Sequence, residues 1–289
     1  MDVGDRAAVV VGVDGSVRAT EAVRWGAAEA ARRGAPLRLV TAVHGEADRV
    51  LRPELVKRYE DVLVDHARDA LADATAVAGR DAPGVEVRSE LVTGHAVAVL
   101  REAAEQALVV VIGDRGLSKV EGLLAGSVSV ALAAHAACPV VVVRGREEPA
   151  TARPVVVGVD GSPGSEAAVA FAYEAASLRH VGLVAVHTWW DLVADPVLAP
   201  LLDWEAIEND ERLVLAERLA GWAEKYPDVV VERVVTRGRP AQVLLEQAAR
   251  AQLVAVGSRG RGEFTGLFLG SVSNTLLHRS PCPVVVARS

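Results

Sequence analysis

The eight residues VVVGVDGS at positions 9–16 return unchanged at positions 155–162. Later landmarks return in the same order. Gly113 recurs as Gly257, and PVVVV at 139–143 recurs as PVVVA at 283–287. A repeat of about 145 residues is a duplicated domain, because solenoid repeats have periods of about 20–50 residues. The 289 residues hold two domains of ordinary size. Between the copies, residues 144–153 (RGREEPATAR) are charged and proline-bearing, which reads as a linker. The expected division is a first domain over 1–145, a linker over 146–153 and a second domain over 154–289.

Each half alternates short apolar runs with longer amphipathic ones. In the first, the pattern predicts strands over 8–13, 37–43, 85–92, 108–112 and 140–143. Helices are predicted over 17–33, from about 54 to 78, over 97–106 and over 127–136, with loop at 44–53. Ser16 is a good N-cap for the first helix, and Gly34 stops it. The second half follows the same plan. Its first strand is expected in the returning VVVGVDGS run, and further strands over 183–188, 229–235, 253–256 and 284–287. Its helices begin at Pro163, a favoured first helical residue, run to about Lys225 after an irregular stretch at 189–203, cover 241–251 and start again at Ser271. Strands alternating with helices imply an α/β fold, a parallel sheet with helices on both faces. Ligands of such sheets sit beyond the carboxyl ends of the strands, where the strand order reverses.

Both halves carry a second shared pattern, G-x2-G-x9-G-S. It runs from Gly113 through Gly116 to Gly126 and Ser127, and from Gly257 through Gly260 to Gly270 and Ser271. Each copy leaves a buried strand and enters a helix. Glycines let backbone approach a ligand closely, and the free N–H groups of a helix start favour an anion. The expected role is a cradle for a nucleotide phosphate chain, with Arg115 as an added cation; a structural loop is the plainer alternative. Asp14 and Asp160, at the ends of the first strands, can accept from an adenine amino group or a ribose hydroxyl, hold a metal through water, or simply cap their own loops.

Together these residues resemble the universal stress protein family, and its ATP-binding branch in a tandem two-domain form. The resemblance implies two Rossmann-like domains of the adenine nucleotide α-hydrolase-like type, each with a five-stranded parallel sheet. It implies ATP, with Mg²⁺, at one site per domain. Carried over by position, the first site would use Gly12, Val13 and Asp14; Ala42 and Val43 against adenine; Ile112 and Gly113 beside the ribose; and Arg115, Gly116, Gly126, Ser127, Val128 and Ser129 over ribose and phosphates. The second would use Gly158, Val159, Asp160, Thr188, Val256, Gly257, Arg259, Gly260, Gly270, Ser271, Val272 and Ser273. Thr188 stands where Ala42 does, and Ser258 replaces Asp114, so the two sites need not bind equally.

Other features narrow the function. The formal net charge of −7 argues against nucleic acid or an anionic membrane as partner. No apolar run approaches a membrane span, and the start lacks the pattern of a signal peptide. The expectation is a cytoplasmic protein. Cys138 and Cys282 occupy matching positions before a proline and read as small buried residues rather than a disulfide. His44, His66, His95, His135, His180, His187 and His278 show no metal-site clustering. Trp189, Trp190 and Trp204 bracket the irregular stretch and read as packing residues or as the rim of a site. Gly260, Gly262 and Gly266 are spaced one residue too long for a dinucleotide fingerprint, and no P-loop lysine motif occurs. No positioned general base or nucleophile stands out in either loop. The leading expectation is an ATP-binding stress or dormancy regulator in which ATP is a ligand. A slow ATPase or nucleotidyl-transfer enzyme on the same fold is the alternative. The short apolar strands 140–143 and 284–286 suggest that the halves pair through sheet edges. A homodimer and an unknown protein partner remain open.

Overall fold

Runs of valine set the strands. β-branched side chains suit a pleated, buried surface, and three in a row are buried on both faces only inside a helix-covered parallel sheet. A computed structural model describes residues 7–44, 53–116, 126–144, 152–189, 203–260 and 269–288. Residues 45–52 of the loop expected at 44–53, the linker through 151, Trp190, most of the irregular stretch and the glycines Gly262 and Gly266 lie outside these described residues.

The chain divides into two compact units, Met1–Glu147 and Glu148–Ser289. The first contains β1 (Ala8–Gly12), α1 (Val17–Arg33), β2 (Leu37–Val43), α2 (Pro53–Asp81), β3 (Val87–Thr93), α3 (Ala96–Ala104), β4 (Ala107–Gly113), α4 (Ser127–His135) and β5 (Val140–Val143). Its strands lie in the order β3-β2-β1-β4-β5, each neighbouring pair parallel. The second contains β6 (Val155–Gly158), α5 (Pro163–Arg179), β7 (Leu183–Trp189), α6 (Trp204–Leu219), α7 (Trp222–Lys225), β8 (Val231–Arg237), α8 (Pro240–Ala248), β9 (Leu253–Gly257), α9 (Ser271–Arg279) and β10 (Val284–Ala287). Its order repeats the first, β8-β7-β6-β9-β10, again parallel. In each unit the order reverses at the first strand, between β1 and β4 and between β6 and β9. A crevice therefore opens at their carboxyl ends.

Local chemistry accounts for the boundaries. The hydroxyls of Ser16 and Ser162 accept from the N–H groups of Ala19 and Ser165 and cap α1 and α5. Gly34 closes α1 in the left-handed region at φ 59°. At the matching place α5 ends on His180, also left-handed at φ 53°, although that conformation costs a side chain energy. The single helix expected to reach about Lys225 is instead two. Ala220 leaves helical geometry and Gly221 turns at φ 80°, so α6 ends at Leu219 and α7 begins at Trp222.

The core of each unit lies between sheet and helices. Val9, Val11, Val109, Val110 and Val111 are fully buried, as are their counterparts Val155, Val157 and Val254. Helix α1 reaches the sheet with small residues. A Cβ on Gly26 would collide with Val11 Cγ2. Helix propensity alone favours alanine over glycine by about 1 kcal/mol, but overpacking a dense core costs about 1–3 kcal/mol. The overlap should win, so Gly26→Ala should destabilise the chain by about 1 kcal/mol in guanidinium unfolding. The second half carries Ala172 at this position. A stabilised variant would mean that α1 can shift outward and that the contact does not restrict it.

Candidate functional site

The crevice of the second unit holds a cavity of about 590 Å³. Every residue expected at the second site lines it, from Gly158, Val159 and Asp160 through Thr188, Val256, Gly257, Arg259 and Gly260 to Gly270, Ser271, Val272 and Ser273. Ser165, Val186, Pro240, Leu244 and Leu269 line it as well. Sequence reasoning passed over these five, yet periodicity points to Val186 and groups Pro240 with Leu244. Val186 lies two residues before Thr188 on β7 and so shares its face. Pro240 and Leu244 are four apart on α8 and share one side of the helix.

The glycines are explained by contact. A Cβ on Gly257 would stand 2.6 Å from the backbone carbon of Gly164, so the strand end touches the first turn of α5. A Cβ on Gly260 would stand 2.5 Å from Asp160 Oδ2. The loop is tied at its base, where the Gly270 N–H donates to the Ser258 carbonyl at 2.8 Å. Buried Ser273 donates its hydroxyl to loop carbonyls, with Oγ 2.9 Å from the Gly270 oxygen and 3.2 Å from that of Ser258. This hydroxyl holds the loop and keeps only its lone pairs for a ligand. Ser271 begins α9, with Gly270 as the N-cap and no side-chain cap bond, so this helix start faces the cavity uncapped. Asp160 Oδ1 accepts the Ser162 N–H at 2.9 Å, the loop-capping role, while Oδ2 lies toward Gly260.

Behind this wall, His187 is buried and joins two elements. Its Nδ1 lies 2.7 Å from the Val159 carbonyl and its Nε2 2.7 Å from Glu211 Oε2 on α6. The first unit meets the same need with Thr41, whose hydroxyl donates to the Val13 carbonyl at 2.9 Å. Trp189 and Trp204 stack on each other with centroids 6.0 Å apart, and Arg237 covers Trp204 at 4.3 Å. Neither ring lines the cavity.

The first unit places its own candidates in matching relations. Gly12 and Ile112 touch, since a Cβ on Gly12 would stand 3.0 Å from Ile112 Cγ2. A Cβ on Gly116 would stand 2.5 Å from Asp14 Oδ2, and Asp14 Oδ1 accepts the Ser16 N–H at 3.0 Å. The Gly126 N–H donates to the Asp114 carbonyl at 2.8 Å, and Ser129 donates to the Gly113 carbonyl at 3.2 Å. Ser127 opens α4 and Val128 follows it. Ala42 and Val43 end β2, and Arg115 and Gly116 are exposed. A Cβ on Gly113 would press within 2.9 Å of the Arg18 backbone, so this glycine serves packing as well as access.

The copies diverge at Asp114. This carboxylate is 3 % exposed and sits among three arginines. Arg18 Nε is 3.4 Å from Oδ1; Arg144 Nη2 and Arg115 Nε are 3.8 and 3.9 Å from Oδ2. Burial draws the Arg144 guanidinium below its usual pKa, Asp114 raises it, and Arg115 and Arg18 lower it further. Among the described residues, no group of three or more His, Cys, Asp or Glu side chains could hold a metal. No helix among them is long and apolar enough to cross a membrane.

A sequence model of the universal stress protein family matches residues 6–144 and again 151–288. The chain belongs to the universal stress protein family. A universal stress protein of Mycobacterium tuberculosis is 44 % identical over 291 residues, covering 97 % of this chain and 96 % of that one. A Mycolicibacterium smegmatis universal stress protein is 42 % identical over 288 residues, with the same shares covered. The crystal structure of a universal stress protein from Archaeoglobus fulgidus has the same fold, with a TM-score of 0.68 at 20 % identity over 97 % of this chain and 98 % of that one.

The two cysteines of this universal stress protein are free and buried at matching turns before β5 and β10. Burial pushes both thiols up to about 11, against hydrogen bonds that lower them. The thiolate is the reactive form, so the folded chain should alkylate with iodoacetamide at pH 8 at least about tenfold more slowly than the urea-unfolded chain. Mass spectrometry reads the rates. Equal rates in the two states would contradict buried, protonated thiols.

Proposed function

We propose that the chain binds ATP at one site in each half and acts as a cytoplasmic stress or dormancy regulator. In this reading ATP is a ligand that sets conformation or partner choice. The observation that carries the reading is the second unit's cavity. Its volume falls within the usual range for small-molecule sites, about 300–1,000 Å³. Val186, Leu244 and Val256 offer an apolar wall suited to a base. Asp160 stands where a ribose hydroxyl can donate to it. Ser271 and Val272 open α9 against the cavity with the N–H groups of a helix start, and Arg259 adds positive charge, both suited to phosphates. Magnesium fits only as an ion carried in by the phosphates with most of its waters, since Asp160 is the one carboxylate among the described residues that line the cavity.

The ligand reading is favoured over turnover by the same lining. Among the described residues its titratable side chains are Asp160 and Arg259. Asp160 already accepts a backbone N–H, and the described lining offers no base–nucleophile pair of the kind that hydrolysis or nucleotidyl transfer uses.

Ser271→Glu separates site from fold. A carboxylate at the first helical position suits the helix dipole, so stability should hold, while its charge opposes the phosphates. Calorimetry should show ATP binding to the second site weakened at least about tenfold with adenosine binding unchanged. Unchanged ATP affinity would remove the phosphates from this helix start.

A further inference from the structure

Beside the main cavity, the second unit has a smaller polar one of about 210 Å³, lined by Ser162, Gly164, Ser258, Arg259 and Arg288 among others. Among the described residues, no acidic side chain lines it. Its place in the first unit is occupied by the Asp114 carboxylate and the arginines around it. The two halves supply the comparison residue by residue. Arg259 and Arg288 correspond to Arg115 and Arg144. Ser258 replaces Asp114, and Gly164 replaces Arg18. The backbone is the same at this point: the Asp114 N–H donates to the Val143 carbonyl at 3.1 Å, and the Ser258 N–H to the Ala287 carbonyl at 2.8 Å. The second half has therefore lost both members of the Arg18–Asp114 ion pair while keeping the other two arginines. Removing a long side chain and a carboxylate clears the space beside the two remaining arginines. The start of the 17-residue helix α5, capped by Ser162, adds its positive end to the same side.

We propose that this cavity is an oxyanion subsite that takes a phosphate group, in the place where the first half uses its own Asp114 carboxylate. Two arginines and the Ser258 hydroxyl match a tetrahedral oxyanion, which accepts several charge-assisted hydrogen bonds at once. A water occupies about 30 Å³, so the cavity has room for a polyatomic anion. Arg259 and Gly260 line both cavities. The phosphate can thus be free inorganic phosphate or the terminal group of a nucleotide in the larger cavity.

The test titrates inorganic phosphate into the full chain by calorimetry at constant ionic strength, then repeats it with adenosine bound. The variants are Ser258→Asp, which installs the first half's carboxylate, and Arg288→Gln. Neither residue lines the larger cavity. For free phosphate, the wild-type chain binds one phosphate with or without adenosine, and each variant weakens that binding at least about tenfold. For a nucleotide's terminal phosphate, ATP binds more tightly than AMP, and each variant removes the difference while adenosine binding holds. Thermal unfolding shows which variants fold, and either folded variant decides. Phosphate binding and the ATP-to-AMP ratio both unchanged in a folded variant would overturn the proposal. Loss of adenosine binding in the wild-type chain would count against the nucleotide reading alone, because the phosphate titration stands without it.

Discussion

The site depends on a contact without room for a side chain. The end of β9 meets the first turn of α5 at Gly257 and Gly164, and the end of β4 meets α1 at Gly113 and Arg18. Because the strand end touches the helix start, the chain must leave the strand sideways and fold over the crevice. The Gly126 and Gly270 N–H groups then close each loop onto the residue that follows the strand. With the loop tied at its base, the start of α9 lines the same cavity as Asp160. A glycine is required at the contact for packing, and that packing places the helix start at the site.

Duplication shows which parts of this arrangement are fixed. The glycines, the first-strand aspartates, the loop closure and the serine hydroxyls recur in both halves. The groups behind them vary. Thr41 and His187 hold the same carbonyl by different chemistry. Asp114 among its arginines gives way to Ser258 and a polar cavity. The backbone of the crevice is constant, and the charge next to it differs between the halves.

Much of this was legible in the sequence because repeated local signals carry it. Valine runs gave the strands, Ser16 and Gly34 gave the limits of α1, and the two glycine patterns pointed to the loops. The break at Gly221 was missed because a lone glycine inside a helical pattern is also tolerated as helix. The left-handed His180 was missed because that conformation is rare for a residue with a Cβ. Leu244 and Pro240 were missed for a different reason. They reach the cavity from α8, which follows a strand remote in sequence from the loop, so only the folded topology brings them there. The arginines around Asp114 come from three separate segments and could not be grouped before the fold was known.

The central claim is that both copies of the loop serve one ligand chemistry, an adenine nucleotide in each half. Equilibrium dialysis of the full chain against labelled ATP measures this directly. The account predicts two ATP molecules per chain at saturation, displaced by unlabelled ATP; saturation at one, or no retention of ATP, would contradict it.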